Sequence, residues 1–333
     1  TQKVHISSAI ASGYKYMLIV TSDEAKARKM CDDASFFNKE AIYYPAKDAI
    51  FYSADVHGNQ ITGERLRCIS RIINHSSTGE GVLTVVTTMD GIADRLIPVE
   101  RFKEAVITLD YSSEIEPEKL AKKLVAMGFV RTGMVEDKGQ FAIRGGIIDI
   151  FSYTDEAPVR IELWDTEVDS IRMFDVESQR SIERLQSYSI FPATEYIFTE
   201  DELKNGLYNI KKECDRQLEC FDYGKRKRTK EQIEAGNNLN KLVADVERTG
   251  NYEKFTDTIV ADTVGLAEYF PEENTLVVLD EPNRLKECNE LTLYEYNESM
   301  KNRLAAGYVL PSQTNKVKAM NEIISDLRNN KKL

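Results

Sequence analysis

No stretch of this 333-residue chain approaches the roughly eighteen consecutive apolar residues that a membrane span requires, so no membrane-crossing helix is expected. Cysteine is sparse and unpatterned. Cys31, Cys68, Cys214, Cys220 and Cys288 are odd in number and show neither C-x-x-C nor cysteine–histidine ligand spacing, which argues against a disulfide framework and a zinc site and fits a reducing cytoplasm. Histidine is scarcer still: His5, His57 and His75 fall in separate segments with no Ser or Cys partner implied by spacing, so surface or packing roles are expected of them. Positive charge is not in excess. A formal net charge of -11 and a pI near 5.1 exclude a whole-surface electrostatic grip on nucleic acid, leaving only local contact. There is no fixed-period repeat, no low-complexity tract and no G-x-x-x-x-G-K-[ST] phosphate loop. The opening residues Thr1-Gln2-Lys3-Val4-His5 form no signal peptide and lack an initiator methionine, so the chain is expected to be an excised part of a longer cytoplasmic protein.

With 42% hydrophobic and 30% charged residues, the chain can build the cores of two or three domains. Over the first hundred residues, apolar runs at 17–20, 41–44 and 82–88 alternate with helical stretches such as Glu24 to Phe37. That order predicts a parallel sheet covered on both faces, with Thr21 to Glu24 as a capping box for the first covering helix. From about Val106 the texture changes. One helix, Pro117 to Met127, precedes closely spaced strand-like runs at 140–143, 147–151, 159–163 and 170–174, with turns at Gly145-Gly146 and Glu156-Ala157-Pro158. A small, mostly antiparallel α+β domain is expected there. After Pro192 the chain becomes helical and highly charged through about Arg248, and α/β texture then resumes with Leu276-Val277-Val278-Leu279. The basic run Lys225-Arg226-Lys227-Arg228 reads as a solvated helix end or turn.

A strand ending in Asp280-Glu281 has the form of a Walker B motif, whose carboxylates hold magnesium and orient the attacking water, but alone the signal is weak. More is carried by Tyr269-Phe270-Pro271-Glu272-Glu273 leading into that strand, and by Asn302-Arg303-Leu304-Ala305-Ala306-Gly307-Tyr308-Val309-Leu310-Pro311-Ser312. These stretches resemble the nucleotide excision repair helicase family of UvrB. In that family the carboxylate pair precedes Ser-His, whereas Pro282-Asn283 follows it here. Laid against the same pattern, Thr1-Gln2-Lys3 stand where the family has Gly-Lys-Thr. Gln2 then replaces the phosphate-binding lysine, and Lys3 replaces the hydroxyl residue that ligates magnesium, so the resemblance implies a degenerate nucleotide site at Gln2, Lys3, Asp280 and Glu281. The interval from Tyr44 to Glu64 is too short for the family's DNA-gripping β-hairpin. Asp55, Glu64 and Arg65 suit either the old nucleotide cleft or a helix cap or ion pair.

The most specific motif runs from Arg144-Gly145-Gly146-Ile147-Ile148-Asp149-Ile150-Phe151 through Val159-Arg160-Ile161-Glu162-Leu163-Trp164-Asp165 to Asp169-Ser170-Ile171-Arg172-Met173-Phe174-Asp175. It resembles the domain by which UvrB and the bacterial transcription-repair coupling factors bind UvrA. Strict alternation puts Val159, Ile161 and Leu163 on one face of a strand and Arg160, Glu162 and Trp164 on the other. A sheet face with arginine and a lone tryptophan has the composition of a binding hot spot. The resemblance implies UvrA contacts at Arg144, Arg160 and Trp164, with Glu162 and Asp149 beside them; relatives often carry phenylalanine at the tryptophan position. The alternative is a solvated face on which the arginines pair with Asp149, Glu162 or Asp175 while Trp164 closes the edge of the core.

The expected fold is thus α/β: a degenerate RecA-like, P-loop-type parallel-sheet domain split by an inserted small α+β UvrA-binding domain. Residues 1–107 form its first segment and 108–194 the insert. Residues 195–318 form a helical region and second segment, and 319–333 the start of a linker or next domain. The resemblance implies a non-catalytic module, without cofactor of its own, that recruits UvrA to lesions at stalled RNA polymerase. ATP and Mg would belong to motor domains of an ATP-dependent DNA translocase further along the parent, which would also carry the polymerase and DNA contacts. Two other readings stay open: an ATP-dependent damaged-DNA-binding enzyme of the UvrB type, and an autoinhibitory lid on the parent's own C-terminal motor domains.

Overall fold

The structure, a computed structural model, describes residues 2–38, 40–47, 56–78, 81–221, 227–260, 262–327 and 331–332. The side chains of 56–59, 76–78 and 331–332 are outside the description, and so are Thr1, Asp55, the His57 side chain and Lys225-Arg226. In chain order the strands are β1 (Tyr16–Thr21), β2 (Ala41–Tyr44), β3 (Leu83–Thr88), β4 (Ile107–Asp110), β5 (Val130–Arg131), β6 (Gln140–Arg144), β7 (Ile147–Phe151), β8 (Val159–Trp164), β9 (Glu167–Phe174), β10 (Ser181–Arg184), β11 (Ser187–Ile190), β12 (Thr275–Leu279) and β13 (Lys331–Lys332). The chain divides into two compact units, Thr1–Ser53 with Gly81–Ile97 and Phe198–Leu333, and Ala54–Glu80 with Pro98–Ile197.

The first unit is mixed α/β and is built on a five-stranded parallel sheet in the order β13-β12-β1-β3-β2. Every residue of β1 and β3 is buried, as expected of β-branched and aliphatic runs covered on both sides. The helix Glu24–Ser35 lays Ala27, Met30 and Ala34, spaced three and four apart, against this sheet. Its cap differs from the sequence expectation. Asp23 is the N-cap and its carboxylate accepts from the Lys26 amide at 2.9 Å, while Thr21 completes β1 and turns its hydroxyl elsewhere. The charged stretch after Pro192 forms the helices Glu200–Phe221 and Lys230–Thr249, whose apolar faces meet around Ile210, Cys214, Leu239 and Val246.

Gly307 closes this helical part. It sits at φ 73°, and a Cβ built on it would lie 2.1 Å from the Ala235 carbonyl oxygen. Gly307→Ala therefore combines left-handed backbone strain with a clash against backbone, and is expected to lower the unfolding free energy by about 2 kcal/mol, read as a lower urea midpoint. A midpoint unchanged within error would contradict that packing.

The second unit carries the six-stranded sheet β10-β9-β8-β7-β6-β5, antiparallel except for the β5–β6 pair, and a separate β11–β4 ribbon. Its helix Pro117–Ala126, with proline at the helix start, packs Leu120, Ala121 and Leu124 on the face formed by Phe141, Ile148, Ile150, Val159, Ile161 and Ile171. The sequence reading put the segment after β2 with the first hundred residues. In the structure the helix Val56–Thr78 belongs to the second unit. Within that unit Arg65 is buried and its Nε donates to Glu195 Oε1 at 2.8 Å, the ion-pair alternative of the sequence reading. Residues 48–55 of the interval compared with the UvrB hairpin lie outside the described residues, and 56–64 are the first turns of that helix.

Among the described residues no helix is long and apolar enough to cross a membrane.

Candidate functional site

Two places collect the residues singled out by sequence. The first lies at the end of β12. There the amide of Asp280 continues the pairing with β1, donating to the Val20 carbonyl at 2.9 Å, and Glu281 turns the chain into the helix Pro282–Ala305. Glu281 does so at φ 59°, a left-handed conformation that costs a side-chain-bearing residue of order 1 kcal/mol or more. Asp280 is 4% exposed. Its Oδ1 is 2.7 Å from Lys3 Nζ, its Oδ2 is 2.5 Å from Lys26 Nζ and 3.3 Å from the Thr21 hydroxyl that donates to it, and Glu281 meets the same lysines at 3.4 and 3.2 Å. Two ammonium groups thus face two carboxylates, with Lys3 coming from the helix Gln2–Ala11 and Lys26 from the helix Glu24–Ser35. Gln2 is exposed at the helix start.

In this arrangement the charge of the two carboxylates is balanced by the two ammonium groups, which would repel a divalent cation from that position. Among the described residues no group of three or more His, Cys, Asp or Glu side chains could hold a metal ion elsewhere. Burial by itself would raise the Asp280 pKa, but the hydrogen bonds and charges of Lys26 and then Lys3 outweigh it and hold the carboxyl below its ordinary value of 3.8. Asp280 is therefore less protonated in the folded chain than in the unfolded one at acid pH. Its contribution to stability is complete above about pH 4 and is lost as the pH falls further. Asp280→Asn should start from a lower urea midpoint at pH 7 and lose less between pH 5 and pH 3 than the wild type; parallel losses in the two proteins would contradict the clamp. Lys26 was not singled out by sequence, because nothing in its neighbourhood marks a residue whose partner lies 254 positions away (280 − 26).

The second place is the face of the six-stranded sheet turned away from the helix Pro117–Ala126. The alternation read from sequence holds in β8: Val159, Ile161 and Leu163 pack into the core, while Arg160, Glu162 and Trp164 point away from it. Cross-strand register sets Asp149 beside Arg160 and Arg172 beyond, with Ile147 beside Glu162 and Arg144 on the other flank. Asp149, 1% exposed, is the centre of this face. It accepts from Arg160 Nε and Nη2 at 2.6 and 2.9 Å in a bidentate pair, and from Arg144 Nη2 at 2.6 Å. Arg172 pairs with Glu162, whose other oxygen accepts from the Ser170 hydroxyl at 2.8 Å. The arginine–carboxylate pairing of the solvated-face alternative is therefore present. Its other half is not: Trp164 is 80% exposed and closes no core edge. It stands at the tip of the β8–β9 hairpin, where Asp165 adopts φ 58°.

Of the remaining candidates, Glu64 accepts from Gln60 one helical turn away at 3.3 Å, His5 stacks on Phe37 with ring centroids 4.9 Å apart, and His75 is buried.

A sheet-bearing unit with these motifs falls into a defined class: residues 107–196 match the family described as the UvrB interaction domain. The chain as a whole is similar to one part of the transcription-repair-coupling factors. It is 34% identical to that of Bacillus subtilis (strain 168) over 307 residues, covering 89% of this chain and 25% of the relative. It is 31% identical to that of Staphylococcus epidermidis (strain ATCC 12228 / FDA PCI 1200) over 304 residues, 91% of this chain and 25% of the relative, and 30% identical to that of Staphylococcus haemolyticus (strain JCSC1435) over 295 residues, 88% and 24%. The chain spans about a quarter of the length of these curated relatives.

Proposed function

We propose that this chain is a non-catalytic adaptor of transcription-coupled excision repair, which docks UvrA on the arginine-bearing face of its six-stranded sheet. The observation that carries the reading is Trp164, an almost fully exposed tryptophan held at a hairpin tip next to a cross-linked arginine–carboxylate network, inside the segment matched to the UvrB interaction domain. Large aromatic side chains left in water beside arginine are the residue types that dominate binding energy at protein interfaces. UvrA recruitment to lesions at stalled RNA polymerase is the role this suits, with ATP-driven translocation and the polymerase and DNA contacts assigned to other parts of a longer parent.

The UvrB-type enzyme is the weaker reading because Lys3 and Lys26 balance the carboxylates that would have to hold magnesium. The nucleotide site is then a structural clamp between two helices and β12, and the unit uses no cofactor. Size-exclusion chromatography with purified UvrA tests the adaptor reading: co-elution is expected with or without ATP for this chain, and an Arg144→Ala variant should co-elute less. Equilibrium dialysis against ATP–magnesium should show no saturable uptake by the chain alone. Saturable ATP uptake without UvrA co-elution would reverse the assignment.

A further inference from the structure

Acidic residues outnumber basic ones by 55 to 44 in this chain, yet residues 203–212 hold three lysines and no Asp or Glu. They form the middle of the helix Glu200–Phe221, in the first unit. That helix buries Gly206, Ile210 and Cys214 on one side and leaves Lys204, Asn205, Tyr208, Asn209, Lys212 and Arg216 exposed on the other. The buried side is closely held. A Cβ on Gly206 would lie 2.5 Å from Ile259 Cγ1, and the next acid along the helix, Glu213, accepts from the Ser312 amide and hydroxyl at 2.8 and 2.6 Å. The exposed side keeps its positive charge. Lys204 reaches carboxylates only at 3.8 Å (Asp201) and 4.0 Å (Glu200), and among the described residues Lys212 and Arg216 make no ion pair. Lys211, on the flank, is spoken for by Glu247 at 2.5 Å. Tyr208 is 64% exposed with the Lys212 ammonium 5.7 Å from its ring centroid. Asp201 at one end and Asp215 and Glu219 at the other bound this stripe, so its footprint is short.

We infer that this stripe is a binding site for the phosphate backbone of duplex DNA, separate from the UvrA docking proposed above and independent of it. Lysine, arginine, asparagine and tyrosine are side chains that contact phosphate oxygens, and such contacts carry no sequence information, so the binding is non-specific. At about 1.5 Å of rise per residue, Lys204, Lys212 and Arg216 lie about 12 and 6 Å apart along the helix axis. A duplex strand offers a phosphate every 3.4 Å or so, so each cation can meet one. The density of that charge is what selects the partner. The chain as a whole carries a net charge of -11 and repels anions, so a short cationic stripe gains enough only from a ligand as densely charged as a duplex. Three neutralised phosphates give a log–log salt slope of about -3, and an affinity that falls roughly 40-fold between about 50 and 200 mM salt.

Fluorescence anisotropy of a short labelled duplex, titrated with the chain at several salt concentrations, tests this. Lys204→Glu with Lys212→Glu should weaken binding about tenfold or more at about 50 mM salt and flatten the slope to about -1. Lys286→Glu with Lys301→Glu makes the same change in net charge on the exposed side of the helix Pro282–Ala305, and should shift the affinity by less than about twofold. All four lysines are exposed, so both variants should match the wild type by circular dichroism, and both should co-elute with UvrA as the wild type does. Absence of saturable binding by the wild type at low salt would overturn the inference. Equal weakening in the two variants would overturn it too, because bulk charge and not the stripe would then set the affinity. Either result leaves the UvrA reading where it stands, since that rests on the other unit.

Discussion

Arg65→Ala is expected to remove about 3–5 kcal/mol of folding stability from the second unit, the largest single loss foreseen for any side chain. Arg65 and Glu195 have side chains 1% and 2% exposed, and they join the helix Val56–Thr78 to the far end of the same unit, 130 residues away in sequence. In water each charge is solvated; in this interior the Glu195 carboxylate depends on the guanidinium for much of its compensation. Truncating Arg65 takes a charged hydrogen-bond partner from that buried carboxylate and also opens a cavity the size of a large side chain. The reverse experiment discriminates between the pair's net worth and the cost of breaking it. Arg65→Met with Glu195→Leu replaces both charges by apolar groups and should return most of the lost stability, because a buried ion pair contributes little beyond a well-packed apolar substitute. Urea unfolding followed by circular dichroism reads both variants. A loss below about 1 kcal/mol for Arg65→Ala would mean that water reaches the pair.

Trp164→Ala is expected to act in the opposite manner, with a large loss of binding and almost none of stability. At 80% exposure the indole makes few contacts within the chain, so the unfolding free energy should stay within about 0.5 kcal/mol of wild type. If Trp164 anchors UvrA, its removal should cost about 2–4 kcal/mol of binding, roughly 30- to 1,000-fold in Kd. Trp164→Phe keeps an aromatic anchor and should recover much of that loss, in keeping with the phenylalanine expected at this position in relatives. Equal affinities for the wild type and the alanine variant by calorimetry would show that the hairpin tip lies outside the interface.

The sequence features that were legible are those set by local periodicity. Short runs rich in aliphatic and β-branched residues mark β1, β3 and β12, and alternation in β8 sorts Arg160, Glu162 and Trp164 from Val159 and Ile161. What stayed hidden depends on partners far apart in the chain. Lys26 sits in the first turn of an ordinary amphipathic helix, and only the approach of β12 to β1 brings it to Asp280. The Arg65–Glu195 pair is likewise a product of tertiary packing, and it carries the helix Val56–Thr78 into the second unit against the sequence division. The cap at Asp23 was missed by two residues because Thr21 and Asp23 both suit that role, and the demand of Asp280 for a donor decides between them. Alternation assigns Arg160 to the outer face of β8 but says nothing of the Asp149 and Gln179 side chains that engage its guanidinium there.

Trp164 is also the single tryptophan of the chain, which makes the proposed interface its own reporter. Titrating the chain with a tryptophan-free UvrA while following indole fluorescence tests adaptor function most directly. A saturable change that disappears in Arg144→Ala, with circular dichroism unaltered, is the expected result. A flat titration with a well-folded wild-type chain at UvrA concentrations up to tens of micromolar would contradict UvrA docking on this face.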